Sequence, residues 1–179
     1  DTLITHWGLS GPCVLKLSAW GAKTLNELNY QCVITINWLP NKGLQEIKEI
    51  LSEQKLELAK KQVSKQTEFD LPKRFWSFII DKSQVVNKKI WANLTKADMN
   101  NIAQNLFACQ LDVNGKSTFK EEFVTAGGVD LKEIDFKTYR SKKLPQLKII
   151  GEALNIDAIT GGFNFQSAWT SAYIAAMDD

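Results

Sequence analysis

Residues 149–169 read IIGEALNIDAITGGFNFQSAW: a short apolar run, a glycine, an acidic stretch, then a Gly-Gly pair opening an alanine-rich segment. Leu147, Ile149 and Ile150 suit a buried strand, and Gly151 lets the chain turn sharply at its end. Beyond Thr160-Gly161-Gly162, the residues Phe165, Ala168, Trp169, Ala172, Tyr173 and Ala176 recur at spacings of three and four, which predicts a helix with one apolar face. The open N–H groups and positive dipole end of such a helix start attract phosphate or an electron-rich carbonyl. Paired glycines let a ligand approach the backbone, and Glu152 and Asp157 offer carboxylates to its hydroxyl donors. The same glycines also suit a plain strand-to-helix turn of an α/β protein.

Outward from this stretch, the chain alternates between the two periodicities. Ser10 is placed to cap a helix carrying Pro12, Val14, Leu15 and Leu17, with the proline tolerated in the first turn. Tyr30, Cys32, Ile34 and Ile36 alternate with their neighbours as in a strand that Pro40 ends. From Leu44, the residues Ile47, Ile50, Leu51, Leu56 and Leu58 among Gln, Glu and Lys predict a surface helix. Pro72 opens a second helix through Phe75, Trp76, Phe78, Ile79 and Ile80, and Thr95 with Asp98 opens a third through Met99, Ile102, Leu106 and Phe107. Residues 43–107 are therefore expected to be helical. Residues 107–113 and 117–125 flank Asn114-Gly115, a pair that favours the hairpin turn matching strand twist.

Composition narrows the function classes. With 179 residues, 44% of them hydrophobic, the chain buries enough apolar surface for one medium domain or two small ones, which excludes a disordered tail. A net charge of +2 is too small to demand an anionic partner. Residues 20–120 carry fifteen Lys and Arg against ten Asp and Glu, a surplus that reads as a solvated lysine-rich surface, with a nucleic-acid-binding face as the alternative. Cys13, Cys32 and Cys109 are odd in number, far apart and without CxxC spacing or flanking histidines, so buried thiols in a reducing cytosol are expected rather than a disulfide or zinc site. No apolar run approaches the roughly 20 residues needed to span a bilayer, and no charged-then-apolar leader opens the chain. A cytoplasmic location follows as an expectation. The six tryptophans are scattered over different predicted elements, as core or interface anchors rather than a base-stacking platform.

Three motifs stand in a recognisable order: Thr5-His6-Trp7-Gly8-Leu9-Ser10-Gly11-Pro12; Glu122-Phe123-Val124-Thr125-Ala126-Gly127-Gly128-Val129 followed by Thr138-Tyr139-Arg140-Ser141-Lys142; and GEALNIDAITGGFNFQSAW. Together they resemble the BaiN-like flavoproteins, a bacterial family of NAD(P)/FAD-dependent, aminoacetone-oxidase-type oxidoreductases, over most of the chain. The resemblance implies an α+β fold: a small β-barrel-like unit with a helical subdomain, inserted between terminal pieces of a two-dinucleotide-fold FAD-binding domain. In that reading residues 1–22 lead from the FAD-binding domain into the insertion, 23–128 form the insertion, and 129–179 return to the FAD-binding domain. Members of the family open with a GxGxxG unit for the FAD pyrophosphate, which this chain lacks. A chain beginning at Asp1 without that unit is expected to be a C-terminal piece that holds FAD poorly alone and needs the N-terminal part as its partner.

The resemblance also nominates site residues. Gly151-Glu152 occupies the position where an acidic residue after a late-strand glycine binds the ribityl chain. Gly161, Gly162, Phe163 and Asn164 match a TGGYN motif with Phe for Tyr, so their backbone N–H groups face the flavin N1 and C2 carbonyl and stabilise the charge of reduction. Asn155 stands where the family has Asp, and Tyr139-Arg140 replaces a Met-acidic pair, so no role is carried over to them. His6, the only histidine, is either a proton shuttle beside the flavin or a structural residue bonded to backbone. No metal site is expected. The implied function is FAD-dependent oxidation or reduction with NAD(P)H. The alternative is an RNA- or protein-binding insertion module, which in this family extends to flavin-dependent reduction of rRNA uridine.

Overall fold

The computed structural model describes residues 2–65, 67–86, 88–117 and 124–178. In chain order the elements are β1 (Leu3–Ile4), β2 (Leu9–Ser10), α1 (Pro12–Trp20), α2 (Ala22–Glu27), β3 (Gln31–Ile36), α3 (Leu44–Glu57), α4 (Lys73–Lys82), α5 (Lys96–Phe107), β4 (Cys109–Asn114), β5 (Ile134–Asp135), β6 (Arg140–Ser141) and α6 (Phe163–Met177). Short 3-10 turns lie at Val63–Lys65, Trp91–Asn93, Leu131–Glu133 and Gly151–Ala153. The fold is α+β. The strands form three two-stranded sheets, β1 with β2, β3 with β4 and β5 with β6, and the described residues contain no closed barrel. β4 pairs with β3. Most of the second arm expected across Asn114-Gly115 falls on residues 118–123, outside the described ones.

Two compact units make up the chain, residues 32–113 and residues 1–31 with 114–179. In the first, α3, α4 and α5 enclose a core of Ile47, Leu51, Val63, Trp76, Ile79, Ile80, Trp91, Leu94, Ile102 and Leu106. Trp76 and Trp91 stack with ring centroids 6.3 Å apart, and the buried Trp76 Nε1 donates to the Val63 carbonyl at 2.6 Å. The third helix starts as its sequence predicts. Thr95 Oγ1 accepts the Asp98 N–H at 3.1 Å while Asp98 Oδ2 accepts the Thr95 N–H at 2.7 Å, a reciprocal capping box. Burial alone would raise the Asp98 pKa, but hydrogen bonds from Lys89 and Thr95 hold it below the ordinary carboxylate value.

Two sequence expectations fail for geometric reasons, one in each unit. Leu56 is 81% exposed, because five positions from Leu51 it lies off the buried stripe, whereas Gln54 lies on the stripe of Ile47 and Leu51 and is fully buried. Gln54 Oε1 accepts the Thr67 hydroxyl at 3.2 Å and the Glu68 N–H at 3.3 Å. Ser10 does not cap α1; it pairs with Leu3 in the β1–β2 ladder, and Gly11, at φ +94°, takes the cap position before Pro12. Of the cysteines, only Cys109 is buried and Cys13 is exposed, so the expectation of three buried thiols is also corrected.

The other unit has its own small core, Ile134, Tyr139, Leu154 and Ala175, against which Val129, Ile149, Ile156 and Ile174 pack. Leu147 to Ile150 is not a buried strand. It makes one antiparallel bridge, Lys148 with Arg140, and only Ile149 turns into the core while Leu147 and Ile150 are exposed. The helix α6 forms over the expected span but packs by the other side. Phe165, Trp169 and Tyr173 are 68, 67 and 68% exposed, and Ser171 with Ala175 is buried instead. Small side chains let the helix approach its neighbours closely. Its last turn is tied down by Arg140, whose Nε donates to Asp178 Oδ2 at 2.7 Å, and by Lys148, whose Nζ donates to the Ala175 carbonyl at 2.6 Å. The Arg140 hydrogen bond is the main reason the Asp178 pKa lies below its ordinary value.

Candidate functional site

Of the predicted site residues, Gly151, Glu152 and Gly161 to Asn164 gather around α6 in the second of these units. The first contact comes from the Gly127-Gly128 loop. Val129 N donates to the Ala153 carbonyl at 2.9 Å and Asn155 N donates to the Val129 carbonyl at 3.0 Å, giving a parallel bridge of Val129 with Leu154. This docking presses Gly128, at φ +125°, onto the Leu154 peptide. The close approach at Gly128 is to the chain's own backbone.

The second contact is the turn at Gly151–Ala153. Gly151 has φ +63°, as the sharp turn requires, and its N–H donates to Ser171 Oγ at 3.0 Å. The Ser171 hydroxyl in turn donates to the Ala168 carbonyl at 2.9 Å, so the serine fixes the turn to the middle of α6. Glu152 follows with an exposed side chain. A carboxylate in that setting accepts hydrogen bonds from hydroxyls without first breaking an internal pair.

The third is the start of α6. Gly161 and Gly162 both have positive φ, +136° and +91°, and Gly162 occupies the cap position with no side chain satisfying the N–H groups behind it. Space beside Gly162 is open, since a Cβ there would meet nothing within 4 Å. The Phe163 ring is exposed. Asn164 differs from its neighbours: its Oδ1 accepts the Ala158 N–H at 2.9 Å and its Nδ2 donates to the Ala158 carbonyl at 2.9 Å. The side chain is engaged by the loop, and its backbone N–H lies in the uncapped first turn of α6.

Sequence reasoning missed two participants. Ser171 carries no motif; only its position two turns along the helix from Asn164 links it to the Gly151 turn. Asn155, to which no role was assigned, has a buried Oδ1 without a hydrogen-bond partner beside the Val129–Leu154 bridge. His6 lies elsewhere, exposed in the Thr5–Gly8 turn with its ring against Trp7 at 4.0 Å, and none of its described contacts reaches residues 151–164. Among the described residues no group of three His, Cys, Asp or Glu is arranged to hold a metal ion, and no helix is long and apolar enough to cross a membrane.

Comparison with known proteins gives a consistent family. Residues 1–124 match the family model described as the HI0933-like protein barrel and H2TH domain. The chain is 32% identical over 175 residues to the ribosomal RNA dihydrouridine synthase of Haemophilus influenzae, covering 98% of this chain and 41% of that protein. It is 31% identical to the ribosomal RNA dihydrouridine synthase of Escherichia coli, covering 99% of this chain and 42% of that protein. It is 26% identical to the 3-dehydro-bile acid delta(4,6)-reductase of Clostridium scindens, covering 96% of this chain and 42% of that protein. The chain thus spans about two-fifths of the length of these relatives.

Proposed function

The chain belongs to the HI0933-like family, and from that premise we propose that it is the C-terminal part of a BaiN-like, FAD-dependent oxidoreductase that takes electrons from NAD(P)H. Residues 1–22 and 129–179 complete a flavin-binding domain, and residues 23–128 form an insertion beside the substrate pocket. The observation that carries this reading is that one helix serves both halves of the site. The N–H groups of α6 stand open behind Gly161 and Gly162, and its Ser171 holds the turn that presents Glu152. A flavin bound there supplies the redox chemistry. Glu152 accepts ribityl hydroxyls, and the backbone N–H groups of Gly161, Gly162, Phe163 and Asn164 stabilise negative charge on the isoalloxazine edge. The exposed Glu152 and the open space beside Gly162 fit such a ligand, and the engaged Asn164 side chain contributes by shaping the loop. The test is the visible spectrum of the complete protein before and after anaerobic NAD(P)H. A flavin band that bleaches is expected; absence of flavin from folded protein supplied with FAD overturns the reading.

A second reading concerns the substrate. Two relatives at 32 and 31% identity, matched along nearly the whole chain, carry the name ribosomal RNA dihydrouridine synthase. In this reading a flavin held at the start of α6 would supply the reducing equivalents, and a uridine of rRNA would be the substrate. Binding of rRNA that weakens steeply with salt is expected, and salt-insensitive or absent binding removes it.

A further inference from the structure

We infer that the lysine-lined ribbon formed by residues 59–65 and 88–96 is the surface on which the phosphate backbone of RNA docks; this rests on the rRNA reading of the substrate. The two segments lie far apart in sequence and side by side in the structure. Val63 N donates to the Lys89 carbonyl at 2.9 Å, Trp91 N to the Lys61 carbonyl at 3.0 Å and Ala92 N to the Ala59 carbonyl at 3.0 Å, with Gln62 bridging Ile90 in antiparallel fashion. The buried side chains of Val63 and Trp91 fasten the ribbon to the core of α3, α4 and α5.

Every charged side chain exposed on the two segments is cationic, beside the neutral Ala92, Asn93 and Thr95. Lys60, Lys61, Lys65, Lys88 and Lys96 are exposed, and none of them forms an ion pair among the described residues. The ribbon and the first turn of α5 contain one carboxylate, Asp98, which is occupied by Lys89 at 2.6 Å and by the Thr95 N–H. Three of the other carboxylates of this unit, Glu53, Glu57 and Glu68, lie close to one another. A fixed backbone that carries five uncompensated ammonium groups suits a polyanion of regular charge spacing. Trp91, the aromatic residue of the two segments, is buried, so the ribbon itself offers bases no stacking platform. Contacts of this type position RNA and release counterions without reading sequence.

The experiment measures binding of the complete protein to protein-free ribosomal RNA as a function of salt. Lys61→Gln, Lys65→Gln and Lys88→Gln combined are compared with Lys16→Gln, Lys23→Gln and Lys137→Gln, three exposed lysines of the other unit. The ribbon variant is expected to bind at least about tenfold more weakly at moderate salt and to lower the slope of log affinity against log salt by about 2 to 3. Its flavin spectrum and melting temperature stay as in the parent, and the control variant keeps its affinity. Equal weakening by both variants, or no change in the ribbon variant while the parent binds with a steep salt slope, overturns the ribbon and leaves the rRNA reading standing. A parent that does not bind rRNA overturns both.

Discussion

Gly128 and Leu154 meet backbone to backbone: a Cβ on Gly128 would lie 2.6 Å from both the carbonyl carbon and the carbonyl oxygen of Leu154. No rotamer change relieves such an overlap, because backbone atoms form the obstacle. Gly128→Ala is therefore expected to destabilise this unit by about 2 kcal/mol or more, from the positive φ and the clash together. Gly127→Ala isolates the first of these effects, since its φ is +117° but a Cβ there meets nothing within 4 Å. Thermal melting of both variants should show the larger loss at Gly128; equal losses would contradict the packing described.

Ser171→Ala removes the acceptor for the Gly151 N–H while leaving the volume of the site nearly unchanged. Ser171 is fully buried, so water does not readily replace it. The expected cost is about 1–3 kcal/mol, as for a donor left without its partner. In denaturant unfolding the midpoint should fall with little change in slope.

Asp98 links stability to pH. Its folded pKa lies below the ordinary value, so its contribution is fully present above the unfolded pKa of about 3.9 and is lost as pH falls through the folded one. The native protein should lose melting temperature as pH drops below about 4. Asp98→Asn should melt lower at pH 7, having lost the charge that Lys89 and the α5 start both use, and should show a shallower decline in acid.

Glu152→Ala tests the flavin contact without disturbing the fold. The side chain is exposed, so the unfolding free energy of the flavin-free protein should change by less than about 0.5 kcal/mol. Flavin affinity of the complete protein should fall by about ten- to a hundredfold, the worth of charge-assisted hydrogen bonds to hydroxyls. A fluorescence titration with unchanged affinity would remove Glu152 from the site.

The helices were legible in the sequence wherever their signals were local. The cap of α5 lies in four consecutive residues, and the stripes of Ile47 with Leu51 and of Trp76 with Ile79 and Ile80 depend only on helical period. Direction was harder to read. The apolar face of α6 exists as predicted, yet which face a helix buries depends on what it meets, and α6 meets the Gly151 turn with Ser171. For the same reason the glycines of the candidate site could be marked as turns, while the contact of Gly128 with a peptide 26 positions away could not. The lysines of 60–65 and 88–96 read as dispersed charge until the backbone set them side by side.

The two hydrogen bonds between the Asn164 amide and Ala158 close residues 158–164 into a ring. Because the amide mimics a peptide group, donor and acceptor both have to meet the same residue, and the ring tolerates one circumference only. Adding or deleting a residue between Ala158 and Asn164 would open both links at once. The loop ahead of α6 is thus of fixed length, in contrast to an ordinary surface loop, and the position of Gly161 and Gly162 is set by counting as much as by packing.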